Sequence, residues 1–348
     1  YGNVIGGSLS FMAGWRILQT FAVSWLELGW FLVRELGSRR LGRQILISRG
    51  AEPWFGIDWQ LDFPFRGSLG EPDRGGGMSV SAQAGDLVQL QGSGFRSHLV
   101  RLEAGAVLQT HRGVIQHDDI IGQPWGSMLK SHTGQPFYLF QPGLADLVRE
   151  TKRTTQILYP KDIGYILMVM GIGPGSHVLE IGTGSGGLTT AFAYMVGENG
   201  KVITYERNPA AQNLAIKNLT KVGLAERVEF KLSDAAEGFS ERDMDAAFMD
   251  LPNAFDYIAL AKQSLKGGGY LGMLVPTVNQ VSRCLQALKQ AHFACVEVCE
   301  IFMRYYKTDW ERLRPTDRMV AHTGYLIFGR SVAQVIENLF AGTEEETV

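Results

Sequence analysis

The sequence predicts an α/β fold, a mainly parallel, doubly wound sheet, behind a small all-β unit. Three observations predict it. From residue 177 onward, apolar strand-like runs alternate with amphipathic helical stretches, as in a sheet covered on both faces. A glycine-rich turn, "GTGSGG" at 182–187, follows the first of those strands and opens a helix. Before residue 148, short runs separated by glycines and polar residues recur at a spacing of roughly 8–12 residues.

The opening stretch is unlike the rest. Residues 1–77 hold five of the seven tryptophans and eight arginines but no lysine. Ile17–Val33 is apolar, yet its 17 residues fall short of a membrane helix, and it contains Glu27 and Gly29. The run is also too long for the apolar part of a secretory signal. The stretch reads as an atypical extension foreign to the fold, translated upstream sequence or a fusion, with Met78 as the natural start. A membrane or targeting role is the alternative.

Residues 78–147 form the predicted β unit, from "DLVQLQ", "HLVRLEAG", "AVLQTHRG", "SMLKSH" and "PFYLFQP". Residues 143–170 then take a helical period, with Leu144, Leu147 and Val148 on one face. "YPKD" at 159–162 interrupts it, and Pro160 suits the first turn of a new helix to Met170. The α/β domain is expected over 148–335. Its strands are 177–182, 201–206, 228–233, 245–250 and 270–275, with two late ones at 295–303 and 324–329. Its helices are 187–197, 209–222, 254–265 and 278–291. Residues 336–348 form an acidic tail.

Bulk composition excludes little. The 348 residues are 45% hydrophobic and 20% charged, and the formal net charge of -2 gives no global field for a polyanion. A nucleic-acid site must therefore be a local basic patch. The three cysteines, Cys284, Cys295 and Cys299, show no metal spacing and no disulfide framework. They fit thiols of a reducing compartment, and a cytoplasmic location is expected. His111 and His117 lack a third metal partner at a familiar spacing, so no metal is expected.

The chemistry-bearing positions lie where strands end. Gly182, Gly184 and Gly187 fit G-x-G-x-x-G, the dinucleotide pattern, whereas Gly182, Gly184 and Gly186 fit G-x-G-x-G, a pattern of S-adenosylmethionine (SAM) sites. The glycines alone leave both open. Glu206, 24 residues after Gly182, is placed for ribose hydroxyls, and Asp234 for an adenine amino group. Glu180, Ser185, Arg207 and Ala235 complete the expected cofactor set. Asp250 leaves the apolar run "AAFM" into "LPNAF", and an acid there can accept a proton from a substrate amine. Basic residues cluster at Lys152, Arg153 and Lys161, and at Arg312, Arg314 and Arg318.

Six ordered stretches now coincide: "THRGVIQHDDIIG", "YPKD", "VLEIGTGSGGLT", "MDLP", "PTVNQV" and "HTGYLI". Over about 84–330 the chain resembles the bacterial and archaeal tRNA (adenine-N1) methyltransferases that make 1-methyladenosine at tRNA position 58. The resemblance implies a class I SAM methyltransferase fold, Rossmann-like with a mixed seven-stranded sheet, usually assembled as a homotetramer. It implies SAM as cofactor and tRNA as partner. Asp250 would be the catalytic carboxylate and Tyr159 would stack on the extruded adenine. Gly186 would lie near the SAM carboxylate and Gly187 would pack the helix. Lys152, Arg153, Lys161, Arg312, Arg314 and His322 are expected on the tRNA. Family members often have a tyrosine just before "PTVNQV", where this chain has Leu274; by the resemblance a second aromatic wall is either missing or supplied elsewhere, for example by Tyr270. A SAM methyltransferase for another substrate, and a nicotinamide oxidoreductase, are the competing readings. The second would need a hydride-transfer constellation, which the sequence lacks.

Overall fold

The computed structural model describes residues 80–92, 97–153, 158–317, 319 and 322–333. The expectations for 1–77, for Arg318 and for the tail 336–348 fall outside them.

The β unit has six strands. β1 (Leu87–Gly92), β2 (Ser97–Arg101), β5 (Met128–Lys130) and β6 (Pro136–Phe140) form an antiparallel sheet in the order β2-β1-β6-β5. β3 (Val107–Thr110) and β4 (Gly113–Gln116) pair as a hairpin. Alternate positions face inward, as in β6, and Val88, Leu90, Ile115, Phe137 and Leu139 make a small core. Helix α1 (Leu144–Arg149) follows, and its Leu147 and Val148 join the core of the α/β body rather than that of the β unit.

The α/β body is a seven-stranded sheet in the order β12-β13-β11-β10-β7-β8-β9. Its strands are β7 (His177–Ile181), β8 (Lys201–Glu206), β9 (Val228–Leu232), β10 (Met244–Met249), β11 (Leu265–Val275), β12 (Phe293–Cys299) and β13 (Tyr325–Ser331). Strands β7 to β11 are parallel, and β13 runs antiparallel to both of its neighbours. This is the expected mixed sheet. β10 shows why the runs are continuously apolar: Ala246 and Phe248 enter one core, Ala247 and Met249 the other.

The helices are α2 (Pro160–Val169), α3 (Gly187–Val196), α4 (Pro209–Val222), α5 (Ile258–Ser264) and α6 (Val278–Gln290). α4 has the bounds that its caps dictate. The Asn208 side chain accepts from the Ala210 and Ala211 amides, Pro209 takes the first position, and Gly223 ends the helix at φ 76. In α6, buried Val281, Cys284 and Leu288 make the inward stripe, and Thr277 and Gln280 form a capping box.

Three predicted elements have shifted boundaries. The helix expected over 254–265 is a short 3-10 turn (Ala254–Asp256) followed by α5. β11 starts at Leu265 instead of 270, because its first residues pair irregularly with β10 at a register shift. β12 ends at Cys299, and the described residues from 300 to 323 lie outside the sheet as a largely exposed arm. A short antiparallel bridge between Tyr306 and Pro315 holds that arm.

Candidate active site

The sheet order reverses between β7 and β10. The chain proceeds from β7 outward to β8 and β9, then returns to β10 on the other side. Such a switch point opens a crevice at the carboxyl ends of the strands. The glycine loop leaves β7 on one side of it, and Asp250 leaves β10 on the other. The two touch through backbone: the Asp250 amide donates to the Ile181 carbonyl at 2.9 Å. Gly182, at φ +101, passes so close that a Cβ would lie 2.6 Å from the Asp250 carbonyl oxygen.

Beneath the loop runs a buried hydrogen-bonded chain. Thr189 and Thr204 each donate to Glu180 Oε2 at 2.6 Å, and Thr183 and Thr204 share a 2.6 Å hydroxyl contact. Glu180 Oε1 is buried and has no hydrogen-bond partner among the described residues. Burial pushes the Glu180 carboxyl up to about 8, against the hydrogen bonds from Thr189 and Thr204. Sequence reading found Glu180 but missed these threonines, which in a sequence look like ordinary helix and strand residues.

Glu206, at the end of β8, steadies the loop: Oε2 accepts from the Gly184 amide and Oε1 from the Asn208 amide, both at 2.9 Å. Each oxygen keeps a lone pair for a ligand. Asp234 caps a short turn by accepting from the Ala236 amide at 2.9 Å, and Arg207 lies 3.7 Å from its other oxygen. Asn218, also missed, donates to the Ser185 carbonyl at 2.9 Å and to the Lys152 carbonyl at 2.8 Å. It ties the basic segment to the loop.

Three cavities line the crevice. One, of about 360 Å³, holds Glu180, Gly182, Ser185, Gly187, Glu206 and Asp250. A second, of about 290 Å³, holds Tyr205, Glu206, Arg207, Asp234, Ala235 and Tyr257. A third, of about 350 Å³, holds Arg149, Arg153, Tyr159, Lys161, Met303 and Tyr305. Leu158 lines both the first and the third. The Asp250 carboxyl meets solvent through its cavity but is ringed by packed protein, which pushes it up to about 6.

The structure corrects several expectations. Gly186 and Gly187 exchange roles. Gly186 faces α4, where a Cβ would meet Ala215 at 3.0 Å and Leu219 at 2.9 Å, while Gly187 lines the loop cavity. Lys161 does not offer a free ammonium: its side chain is 5% exposed, its Nζ lies 2.7 Å from Asp162, and it donates to Thr323 at 2.8 Å. His322 is likewise engaged, with Nδ1 2.6 Å from Glu300 and Nε2 3.0 Å from the Pro276 carbonyl. The Glu300 partner raises its pKa. Tyr270 lies under the Arg330 guanidinium, 3.8 Å from it, and lines none of the three cavities. Tyr159 and Asp250 sit in neighbouring cavities, not one. Arg312 and Arg314 are exposed on the arm, away from all three.

These contacts explain the sequence stretches. "YPKD" and "HTG" are joined by the Lys161–Asp162–Thr323 cluster, in which Thr323 also donates to Asp162 at 3.1 Å. "PTVNQV" and "MDLP" are joined by Gln280, whose Nε2 donates to the Pro252 carbonyl at 2.7 Å.

The arrangement fits an adenosine-bearing cation. The unpartnered Glu180 oxygen in a cavity with glycine amides suits an ammonium and its carboxylate, and the second cavity carries the acids for a nucleoside. Among the described residues no cluster could hold a metal. Nor is any described helix long and apolar enough to cross a membrane.

Residues 138–317 match the family model described as tRNA methyltransferase complex GCD14 subunit, and residues 82–129 match a TrmI-like N-terminal model. The tRNA (adenine(57)-N(1)/adenine(58)-N(1))-methyltransferase TrmI of Methanocaldococcus jannaschii is 35% identical over 247 residues, covering 64% of this chain and 86% of that protein. A solved SAM-dependent O-methyltransferase from Thermotoga maritima is 40% identical, with a TM-score of 0.68, over 75% of this chain and 98% of that one. The solved tRNA (m1A58) methyltransferase TrmI of Aquifex aeolicus is 35% identical, with a TM-score of 0.62, over 73% of this chain and 100% of that one.

Proposed function

Since the chain belongs to the family of the tRNA methyltransferase complex GCD14 subunit, we propose that it methylates N1 of the adenosine at position 58 of tRNA. One observation carries the reading. A carboxylate of near-neutral proton affinity, Asp250, shares a cavity with a glycine loop at the switch point of a class I sheet.

SAM, when bound, supplies a methyl group on a positively charged sulfur, an electrophile that needs no activation. The loop 182–187 and Glu180 would hold its methionine part, Glu206 its ribose, and Asp234, Ala235 and Arg207 its adenine. The chain's own work is placement. The target base is extruded at a cost of a few kcal/mol, about what one stacking contact returns. Tyr159, next to the shared Leu158, stands where it can stack on that base. Asp250 accepts from the 6-amino group, which favours attack by the N1 lone pair. As N1 gained the methyl group and the sulfur left as a neutral thioether, the 6-amino nitrogen would become acidic, and Asp250 is the group placed to take its proton. With an acidity constant near 6, Asp250 is mostly ionised at pH 7, as a base must be.

A homotetramer and a cytoplasmic location are part of the proposal. Exposed Phe302, Trp310 and Leu313 on the arm, and Val296 and Val298 on the edge strand β12, support assembly with further copies. Labelled SAM with unmodified tRNA transcripts tests the function, the methylated nucleotide being mapped afterwards. Label at N1 of adenosine 58 is expected. Asp250→Ala should keep SAM binding and lose about 10²–10⁴-fold in turnover. Label only on a protein or small-molecule acceptor would reject the reading.

A further inference from the structure

The cavity beside the catalytic one has a composition that cofactor binding does not use. Two tyrosines and two methionines, Tyr159, Tyr305, Met303 and Met319, give it apolar walls, and Arg149 and Arg153 add charge. Arg149 lies 3.6 Å from Asp146, while Arg153 has no ion pair among the described residues. Flat apolar walls with arginines suit a nucleotide: the base stacks and the phosphate is held.

Tyr305 comes from the arm. Its carbonyl accepts from the Thr316 amide at 2.9 Å, next to the Tyr306–Pro315 bridge, so its backbone is fixed. An extended chain turns successive side chains to opposite sides. Met303 and Tyr305 line the cavity, whereas the intervening Arg304 and flanking Phe302 and Tyr306 do not. Tyr305 is 60% exposed and contacts no other ring among the described residues, which leaves its side chain accessible to a ligand.

We infer that this cavity is a second nucleotide subsite, which takes the nucleotide flanking the methylated adenosine, with Tyr305 stacked on its base and Arg153 on the linking phosphate. The inference rests on the tRNA reading above. Only Leu158 is common to the two cavities, so a chain with one nucleotide at Asp250 passes directly into the other. Tyr159 stands at that boundary, and Tyr305 grips the neighbour. The arm thus takes part in choosing which adenosine is presented.

The test is a cycle between a protein side chain and an RNA base. kcat/KM is measured for wild type, Tyr305→Ala and Tyr305→Phe, on intact tRNA and on tRNA made abasic at one or the other neighbour of the target. Removing one flanking base should cost wild type roughly tenfold, about one base–aromatic stack. Tyr305→Ala should lose about as much on intact tRNA, with little further loss on that abasic tRNA. Tyr305→Phe should match wild type, and SAM affinity should be unchanged throughout. Losses that simply multiply, or no loss from either abasic tRNA, would overturn the subsite. A changed subunit number in Tyr305→Ala would also overturn it, by assigning the cavity to a contact between copies. If wild type fails to label intact tRNA, the underlying functional reading falls instead.

Discussion

Glu180 gives the sharpest test of the site's electrostatics. Its carboxyl is fully enclosed beneath the glycine loop, with one oxygen held by two threonines and the other without a partner. Burial lifts its acidity constant from 4.5 to about 8. A folded value above the unfolded one means that the carboxyl contributes stability below pH 4.5, and that this is lost as pH rises through 8. At about 1.4 kcal/mol per tenfold, the loss between pH 5 and pH 8 is about 3.5 kcal/mol at most. Glu180→Gln cannot ionise, while its amide oxygen can still accept from both threonines. Thermal unfolding of the two proteins without SAM, from pH 5 to pH 9, should therefore diverge. The wild type should lose roughly 7–14 °C relative to the variant across that range, on the scaling for a body of this size. Titrating groups remote from Glu180 act on both proteins and cancel in the difference, whereas Asp250 and Glu206 are coupled to it. Saturating SAM should close the gap at high pH, since an ammonium beside Oε1 stabilises the ionised carboxyl. Melting temperatures that run parallel at all pH values would refute the account of Glu180.

Two further outcomes follow from the same geometry. Lys161→Ala leaves Asp162 buried without its cation and should lower stability by about 3–5 kcal/mol in denaturant unfolding. The salt dependence of tRNA affinity should stay as in wild type; a shallower slope with normal stability would restore Lys161 as a phosphate contact. The ratio kcat/KM should fall with unit slope as pH drops through about 6, because burial raises the pKa of Asp250 and protonates it there. A profile flat down to pH 5 would assign the proton to another group.

The fold was legible because the strands of a doubly wound sheet are continuous apolar runs, and their caps are residues of fixed chemistry. Asn208, Pro209 and Gly223 bound α4 at the predicted residues. Acids at strand ends were visible for the same reason, since Glu206, Asp234 and Asp250 each break an apolar run. What was hidden depended on partners distant in the chain. Nothing near Lys161 or His322 in sequence shows that Thr323, Glu300 and Pro276 engage them. The exchange between Gly186 and Gly187 was hidden likewise, because packing against Ala215 is set by the crossing of α3 and α4. β11 began early because Leu265 pairs with Met244 across an irregularity that takes in glycines 267–269, which look like a turn in sequence. Tyr305 carried no signal of its own, as its place in a cavity comes from the fold of the arm.

Gln280 holds the Pro252 carbonyl, and Asp162 and Lys161 hold Thr323. Some residues of the stretches that identify the chain are therefore fasteners. They lock the rim of the crevice whatever enters it. Among the described residues of the arm 300–323, the outer part is held by its own short bridge and the Lys307–Asp317 ion pair, and the base by His322 and Thr323. On the proposed reading, the crevice carries the methyl transfer, and the arm shares the choice of target with Tyr159 and Arg153. A sequence that kept the fasteners and rewrote the arm would keep the methyl transfer and change what is methylated.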